Sequence, residues 1–375
     1  MKKIRILYTI PNFDTAGSGR LLLSLMEKLD KSVFDLQICC FHTRGAFFST
    51  VERSGFPVHV YNFVADMSNR LKGVREAFRI ARFFRTLDVD IIHSFHYTSD
   101  YSEALAARLA GCKWVYTKKN MSWYGKCENG WKLRTWLAHG VVAQNTDMLG
   151  TFFRNRKKVV MIPSAVDMEE FAHQTPDPRL RGRFDTPDDK RIVVTVANLV
   201  PVKGLEVLIS AFSRVASQFP SWMLWIVGDH NNEYGRFLQE LCKQNGIEDK
   251  TRFLGWQLDV RKCLDHAEIF VIPTLDAGRR EGSPVALLEG MANDKVVLAS
   301  DISGIRDQLN TFPSHLFSAG DISGLAAKLT FWMEQSVESN RVLGKRFGQH
   351  VSQHYSTATI AAKYEGFYRR ILGEL

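Results

Sequence analysis

The chain has 375 residues, 45% of them hydrophobic, and a net charge of +9. Its length implies two domains and excludes a single small module. No apolar run approaches the ~18 to 20 residues of a membrane-spanning helix, and the six cysteines show neither CxxC spacing nor a Cys/His cluster of the kind zinc needs. The opening MKKIRILYTIPNF holds too short an apolar segment for a signal peptide, so a cytoplasmic protein is the simplest expectation. Charge divides unevenly. Residues 1–160 carry 25 Lys and Arg against 13 Asp and Glu, net +12, while residues 161–375 carry 24 against 27, net −3. The basic first half implies an anionic partner, and no nucleic-acid-binding motif accompanies it.

In chain order, short β-branched runs alternate with amphipathic helical patterns. The first half reads IRILYTI, DLQICCF, VHVYNF, DIIHSF, KWVYTK, GVVAQN and KVVMIP; the second reads IVVTVAN, WMLWIVGD, TRFLGW, EIFVIPT and VVLASD. Alternating strand and helix predicts parallel sheets covered on both faces. Pro176, Pro178 and Pro187 crowd a polar segment between the two series and mark a boundary. The expected organisation is an N-terminal domain over 1–165, a linker over 166–190, a C-terminal domain over 191–351 and a terminal helix over 352–375. That helix carries Ile360, Tyr364, Phe367 and Ile371 at helical spacing and could pack back against either domain, the N-terminal one being one option.

Open parallel sheets bind ligands beyond the carboxyl ends of their strands, which ranks the motifs. After the first strand, PNFDTAGSGR sets Gly17 and Gly19 in a loop before a helix, where backbone amides can approach a phosphate. Leu22 stands where a dinucleotide fingerprint requires its third glycine, which argues against that ligand. Asp88 and Asp90 form a DxD, but they precede DIIHSF and so lie at the amino end of the sheet. They read as a feature of the strand's start, not a metal site. His96 falls just past the carboxyl end of the same strand, within reach of an acceptor, whereas His42, His93 and His139 read as structural. Two segments are candidates for touching a bilayer. NRLKGVREAFRIARFFR has a basic stripe beside Leu71, Val74, Phe78 and Phe84, although a helix packed on its sheet is the stronger expectation for it. KKNMSWYGKCENGWKLRTW sets Trp123, Trp131 and Trp136 among lysines without the periodicity of a core helix.

In the second half, VTVANLVPVKGLEVLISAF places Asn198, Lys203 and Gly204 between a strand and a helix, where the lysine can reach a diphosphate as a point charge. In EGSPVALLEG, Ser283 and Pro284 fit N-cap and N1 of a helix running to about Ala292, so that amides from Ser283 to Ala286 are offered to a phosphate. Glu281 lies just outside the helix mouth and suits hydrogen bonds from sugar hydroxyls. Glu289 leans toward the amino end and can accept from a ribose. Taken alone, two glutamates at this spacing read more readily as solvated surface.

They are not alone. With KVVMIPSAVDMEEF, LWIVGD and RFLGWQLDV, these segments run in order over nearly the whole chain. Together they resemble the retaining nucleotide-sugar glycosyltransferases of the GT-B type, glycosyltransferase family 4. The resemblance implies an α/β fold of two Rossmann-like parallel-sheet domains facing across a cleft. It also implies sugar transfer from a nucleotide diphosphate donor to an acceptor hydroxyl, with retention and without a metal or other cofactor. It places Glu281 on the donor sugar and Glu289 on the ribose. Lys203 falls on the diphosphate, and Gly17 in the loop completing the phosphate site. Gly282, Ser283, Pro284 and Val285 surround the donor, while Leu254 and Gly255 hold the nucleobase. Two positions depart from the pattern. Asn198 stands where most relatives carry arginine, leaving Lys203 to hold the diphosphate with help from Arg279 or Arg280, and Lys119 stands where many carry histidine. His96, Lys119 and Trp123 are expected on the acceptor side. The acceptor is expected to be a glycolipid, a polyprenyl-linked sugar or a saccharide of bacterial-type polysaccharide or lipopolysaccharide synthesis, met at an anionic membrane surface; nucleic acid is not expected as a partner. A nucleotide-sugar epimerase of the same fold and a non-catalytic binding module are the alternatives.

Overall fold

The computed structural model describes residues 3–14, 16–45, 47–123, 127–153, 156–277 and 282–374. The chain forms two compact units, Met1–Ser164 with Thr357–Leu375, and Ala165–Ser356.

The sheet of the first unit contains β1 (Ile4–Thr9), β2 (Phe34–Cys40), β3 (Val58–Val60), β4 (Ile91–Ser94), β5 (Lys113–Lys118), β6 (Gly140–Ala143) and β7 (Val159–Met161). Its order is β3-β2-β1-β4-β5-β6-β7, every pairing parallel. The second unit contains β8 (Arg191–Val196), β9 (Trp222–Val227), β10 (Thr251–Gly255), β11 (Ile269–Ile272), β12 (Val296–Ser300) and β13 (Leu316–Phe317). Its order is β10-β9-β8-β11-β12-β13, again all parallel. Each sheet therefore has the doubly wound Rossmann order. The order reverses beside the first strand, between β1 and β4 and between β8 and β11, the places where sheets of this order bind ligands.

Helices on both faces explain the apolar strands. β9, WMLWIV, is buried throughout; Trp222 enters one core layer and Trp225 the other, as odd spacing along a strand requires. The proline-rich stretch expected as a linker carries two short helices, Met168–Phe171 and Pro178–Arg183, capped by Asp167 and Asp177. Phe171 is buried in a core of the second unit. The terminal helix Thr357–Leu372 belongs to the first unit and buries Ile360, Tyr364, Phe367 and Tyr368. The Tyr368 hydroxyl lies 3.0 Å from that of Tyr8 and 2.7 Å from His93 Nδ1, which ties the end of the chain to β1 and β4.

The helix Arg70–Thr86 lays Ala77, Ile80, Ala81 and Phe84 against the core and leaves Leu71 (83% exposed), Val74 and Phe78 outward among Lys72, Arg75 and Arg79. The expectation for the tryptophan segment is overturned for two of its three rings. Trp123 and Trp131 are buried, and Trp136 alone is exposed. Their spacing hid this because Trp123 comes from the loop after β5 and Trp131 from the helix Glu128–Leu137, and the rings stack between those two segments (5.7 Å, 13°). Among the described residues, no helix is long and apolar enough to cross a membrane.

Candidate functional site

In the second unit, β8 runs through Asn198, which is exposed, into a 3₁₀ turn, Pro201–Lys203, then Gly204 and the helix Leu205–Val215. Gly204 has φ +63°, and a Cβ there would lie 2.2 Å from the Pro273 carbonyl oxygen. Only glycine lets this turn sit against the exit of β11. The Leu275 N–H donates to the Val202 carbonyl at 2.9 Å and ties the two loops together. Lys203 is held half-buried in the turn. The Leu205 N–H donates to the Tyr234 hydroxyl at 3.1 Å, and that hydroxyl donates to Glu206, so one amide at this helix end is satisfied internally.

After β11 the chain reaches Gly282 and Ser283, both buried, before the helix Val285–Ala292. The N-cap is Pro284, one residue later than the sequence pattern implies, and it makes no side-chain cap. The reason is a long-range contact. Gln308 Nε2 donates to Ser283 Oγ at 2.9 Å and to the Pro284 carbonyl at 3.2 Å, holding the serine that would otherwise cap. A Cβ on Gly304 would fall 2.1 Å from the Gly282 carbonyl oxygen, and one on Gly290 would fall 2.5 Å from the Phe270 ring, so loop and helix are pressed onto the sheet. Val285 and Glu289 are half-buried, Glu289 one turn into the helix. Glu281, Arg279 and Arg280 lie outside the described residues.

A third segment reaches the same sheet end. Leu254 is buried, and Gly255 (φ +69°) follows a break in the β9–β10 register and accepts the Gly228 N–H at 3.0 Å. His230, in the loop after β9, meets the Phe253 ring edge-on at 5.7 Å and lies beside Gly255; its buried Nδ1 has no hydrogen-bond partner among the described residues. Sequence reasoning passed over His230, and its place just beyond a strand's carboxyl end was the available signal.

In the first unit, Gly17 and Gly19 lie inside the helix Ala16–Lys28, not in a loop before it. Gly17 is exposed with open space where a Cβ would be, whereas a Cβ on Gly19 would fall 2.6 Å from the Phe13 ring. The second glycine thus lets the opening turns close on Phe13. Asp88 and Asp90 both pair with Arg5 at the start of the sheet. Among the described residues, no group of three His, Cys, Asp or Glu is placed to hold a metal.

His96 is buried past β4, with its ring edge-on to Phe41 and Phe63. Burial, with smaller contributions from the nearby Arg134 and Lys119, pushes its pKa down to about 3, so the ring is neutral. Arg134, fully buried, donates to the His96 carbonyl and to Ser94 Oγ, both at 3.0 Å, and to the Asp100 carbonyl. Glu103, also fully buried, lies 3.9 Å from it and accepts from Thr9 at 2.5 Å and Ser94 at 2.6 Å. This pair fixes the loop that carries His96. No local pattern signals it, because its members come from two helices.

Past β5, the half-buried Lys119 holds its ammonium 4.5 Å from the Phe95 ring centroid. Its neighbour Lys118 is fully buried and donates to Asn120 O, Asn120 Oδ1 and Ser122 O at 2.6 to 2.8 Å, with Trp131 at 4.0 Å. Burial brings its pKa down to about 7. Trp123 stacks between Trp131 and Phe152.

Two parallel sheets of Rossmann order, one per unit, are the fold of GT-B glycosyltransferases. A glycosyltransferase of Rickettsia africae superposes with a TM-score of 0.87 over 99% of both chains at 19% identity. HepE of Anabaena, solved with UDP and glucose, does so with 0.78 over 97% of this chain and 98% of its own, at 18%. Family models agree with the fold: residues 15–170 match the one described as Glycosyltransferase Family 4, and residues 177–349 match Glycosyl transferases group 1. The chain has the GT-B fold, and the families whose models it matches are families of glycosyltransferases. The putative colanic acid biosynthesis glycosyltransferase WcaL of Salmonella typhimurium is 27% identical over 209 residues, 54% of this chain and 49% of the relative. The chain thus spans about half the length of the curated relatives it first matches.

Proposed function

We propose that the protein moves a sugar from a nucleoside diphosphate sugar to an acceptor hydroxyl, with retention and without metal, in assembly of a polysaccharide, lipopolysaccharide or glycolipid. One observation carries the reading. The carboxyl end of the second sheet collects the Lys203–Gly204 turn, the Gly282–Glu289 segment and Leu254–Gly255 from three different strand exits. Relatives named for polysaccharide and lipopolysaccharide synthesis support it, as does a structural neighbour solved with UDP and glucose.

Negative charge develops on the departing diphosphate, so Lys203 and the amino end of the helix Val285–Ala292 stabilise the transition state more than the ground state. Glu289 takes the ribose, Glu281 the sugar hydroxyls, and backbone groups at Leu254 and Gly255 the nucleobase. The leaving phosphate accepts the acceptor's proton on the face it departs from, which retains configuration without a side-chain base. His96 and Lys119 face the acceptor, and Trp123, stacked in the core, steadies the loop bearing Lys119. The protein works at the cytoplasmic face of a membrane, where the exposed Leu71, Val74 and Phe78 lie among cations that favour anionic lipid.

The test is a hydrolysis and transfer screen across UDP-, GDP- and ADP-sugars. Nucleotide release with one donor class, lost in Lys203→Ala, supports the proposal. An altered sugar formed without an acceptor points to an epimerase, and nucleotide binding with no turnover of any donor points to a binding module; either overturns it.

A further inference from the structure

The first unit carries a cavity of about 530 Å³ lined by Phe41, Asn62, Val64, Ala65, Asp66 and His96. We propose that it receives an uncharged, hydroxyl-rich ring, a sugar unit of the acceptor and not its phosphate. The inference rests on the proposed sugar transfer and names the acceptor chemistry that reading leaves open.

The lining residues follow β2, β3 and β4, so the cavity opens at the carboxyl end of the sheet, where ligands of this fold bind. One wall is apolar and rigid. Phe41 packs on Phe63 with centroids 4.5 Å apart, and beside it stand Val64 and Ala65, whose N–H donates to buried Ser102 Oγ at 2.8 Å. Such a wall suits the C–H face of a pyranose. The remaining lining groups are polar and differ in role. Asn62 accepts the Val64 N–H at 3.1 Å through its Oδ1, leaving its amide hydrogens to donate. Neutral His96 can donate or accept. Asp66 only accepts; hydrogen bonds from Ser68 hold its carboxyl below the usual carboxylate range, so it is ionised at neutral pH. A Cβ on Gly73 would lie 2.7 Å from the Asp66 carbonyl oxygen, so the helix Arg70–Thr86 presses directly on this residue.

Charge decides against an anion. None of the described lining residues is a cation, and an entering phosphate would meet the Asp66 carboxylate. Of the nearby cations, Arg134 is sequestered with Glu103, Lys119 lies over Phe95, and Lys72 acts on Asp66 itself. The basic surface of this unit, Lys72, Arg75 and Arg79 among it, lies on the helix beside the cavity.

Ligand-observed NMR titration of the full chain tests this, using methyl glycosides of glucose, galactose, mannose and N-acetylglucosamine against the same sugars bearing a phosphomonoester. At least one methyl glycoside is expected to bind, with its phosphorylated counterpart at least about tenfold weaker. Phe41→Ala is expected to weaken the glycoside about tenfold, the scale of one lost hydrogen bond or ring contact. Asp66→Asn is expected to weaken it and narrow the gap to the phosphate. Circular dichroism and the UDP dissociation constant report whether the variants keep their fold. Phosphorylated sugars binding as tightly as glycosides, no glycoside binding at all, or glycoside binding indifferent to both substitutions overturns the proposal. The titration runs without nucleotide, so a failure of UDP, GDP and ADP alike to bind would sink the sugar-transfer reading separately.

Discussion

Arg134→Met would leave Glu103 a buried carboxylate with hydroxyl partners alone. Both side chains are fully buried, the guanidinium stands 3.9 Å from Glu103, and it also faces Trp114 at 4.8 Å and Tyr116 at 5.1 Å. Methionine keeps much of the volume, so the loss is that of the charge and of the hydrogen bonds to Ser94, His96 and Asp100. Removing one partner of a buried pair costs about 3–5 kcal/mol, a large share of the ~5–15 kcal/mol that holds a domain folded. With a urea dependence of ~1–3 kcal/mol/M, the unfolding midpoint of the first unit should fall by at least about 1 M. Urea titration by fluorescence measures this, and hydrogen exchange at Ile4–Thr9 and Ile91–Ser94 assigns it to the first unit. The second substitution in Arg134→Met/Glu103→Gln removes the stranded charge and should recover most of the loss. The effect also has a sign in pH. Burial already raises the Glu103 carboxyl above its ordinary value, and losing Arg134 raises it further. Such a carboxyl binds more protons folded than unfolded. Its stabilisation is therefore full below the unfolded pKa and lost as pH rises through the folded one. The deficit of Arg134→Met should grow with pH and shrink in acid. A cost under about 1 kcal/mol, or a double variant no better than the single, would refute the reasoning.

Gly204→Ala forces a side chain into a left-handed turn against the Pro273 carbonyl and should destabilise the second unit by about 2 kcal/mol or more, read by differential scanning calorimetry; an unchanged melting temperature would show that the turn can relax. Lys203→Ala should lower kcat/KM by about 3–4 kcal/mol of transition-state stabilisation, with partial rescue by Asn198→Arg, and steady-state kinetics with and without chelator would expose a full-activity variant or a strict metal requirement. Glu289→Gln should weaken binding of the free nucleotide, and Glu281→Gln should reduce turnover at saturating donor; calorimetric affinities or rates equal to those of the parent would remove each residue from its role. Sedimentation with anionic vesicles should show binding that weakens with salt, at about 1 kcal/mol per basic residue near the surface. Leu71→Ser/Phe78→Ser should abolish its salt-resistant part, and a pair of variants matching the parent would leave those side chains without a membrane role.

Strand and helix alternation is local information, carried by runs such as WMLWIV and IFVI whose continuous apolarity already means burial on both faces. For that reason the two-sheet architecture and the places of the Lys203–Gly204 and Ser283–Glu289 segments after their strands are legible in the sequence, while Gly255 is singled out there only by the family resemblance. Contacts distant in sequence were not. Gln308 takes the Ser283 hydroxyl from 25 residues away and moves the helix start to Val285; Gly19 lies in a helix packed so close to Phe13 that a Cβ would meet its ring. Trp123 and Trp131 read as surface aromatics because a stack between a loop and a helix has no period. Glu103 and Arg134 look like ordinary helical charges until the fold buries both, and the cavity at Asp66 exists only because three strand exits converge. Sequence alone settles what depends on a residue and its near neighbours, whereas caps, buried pairs and cavities depend on which distant group arrives, and only the tertiary structure decides that.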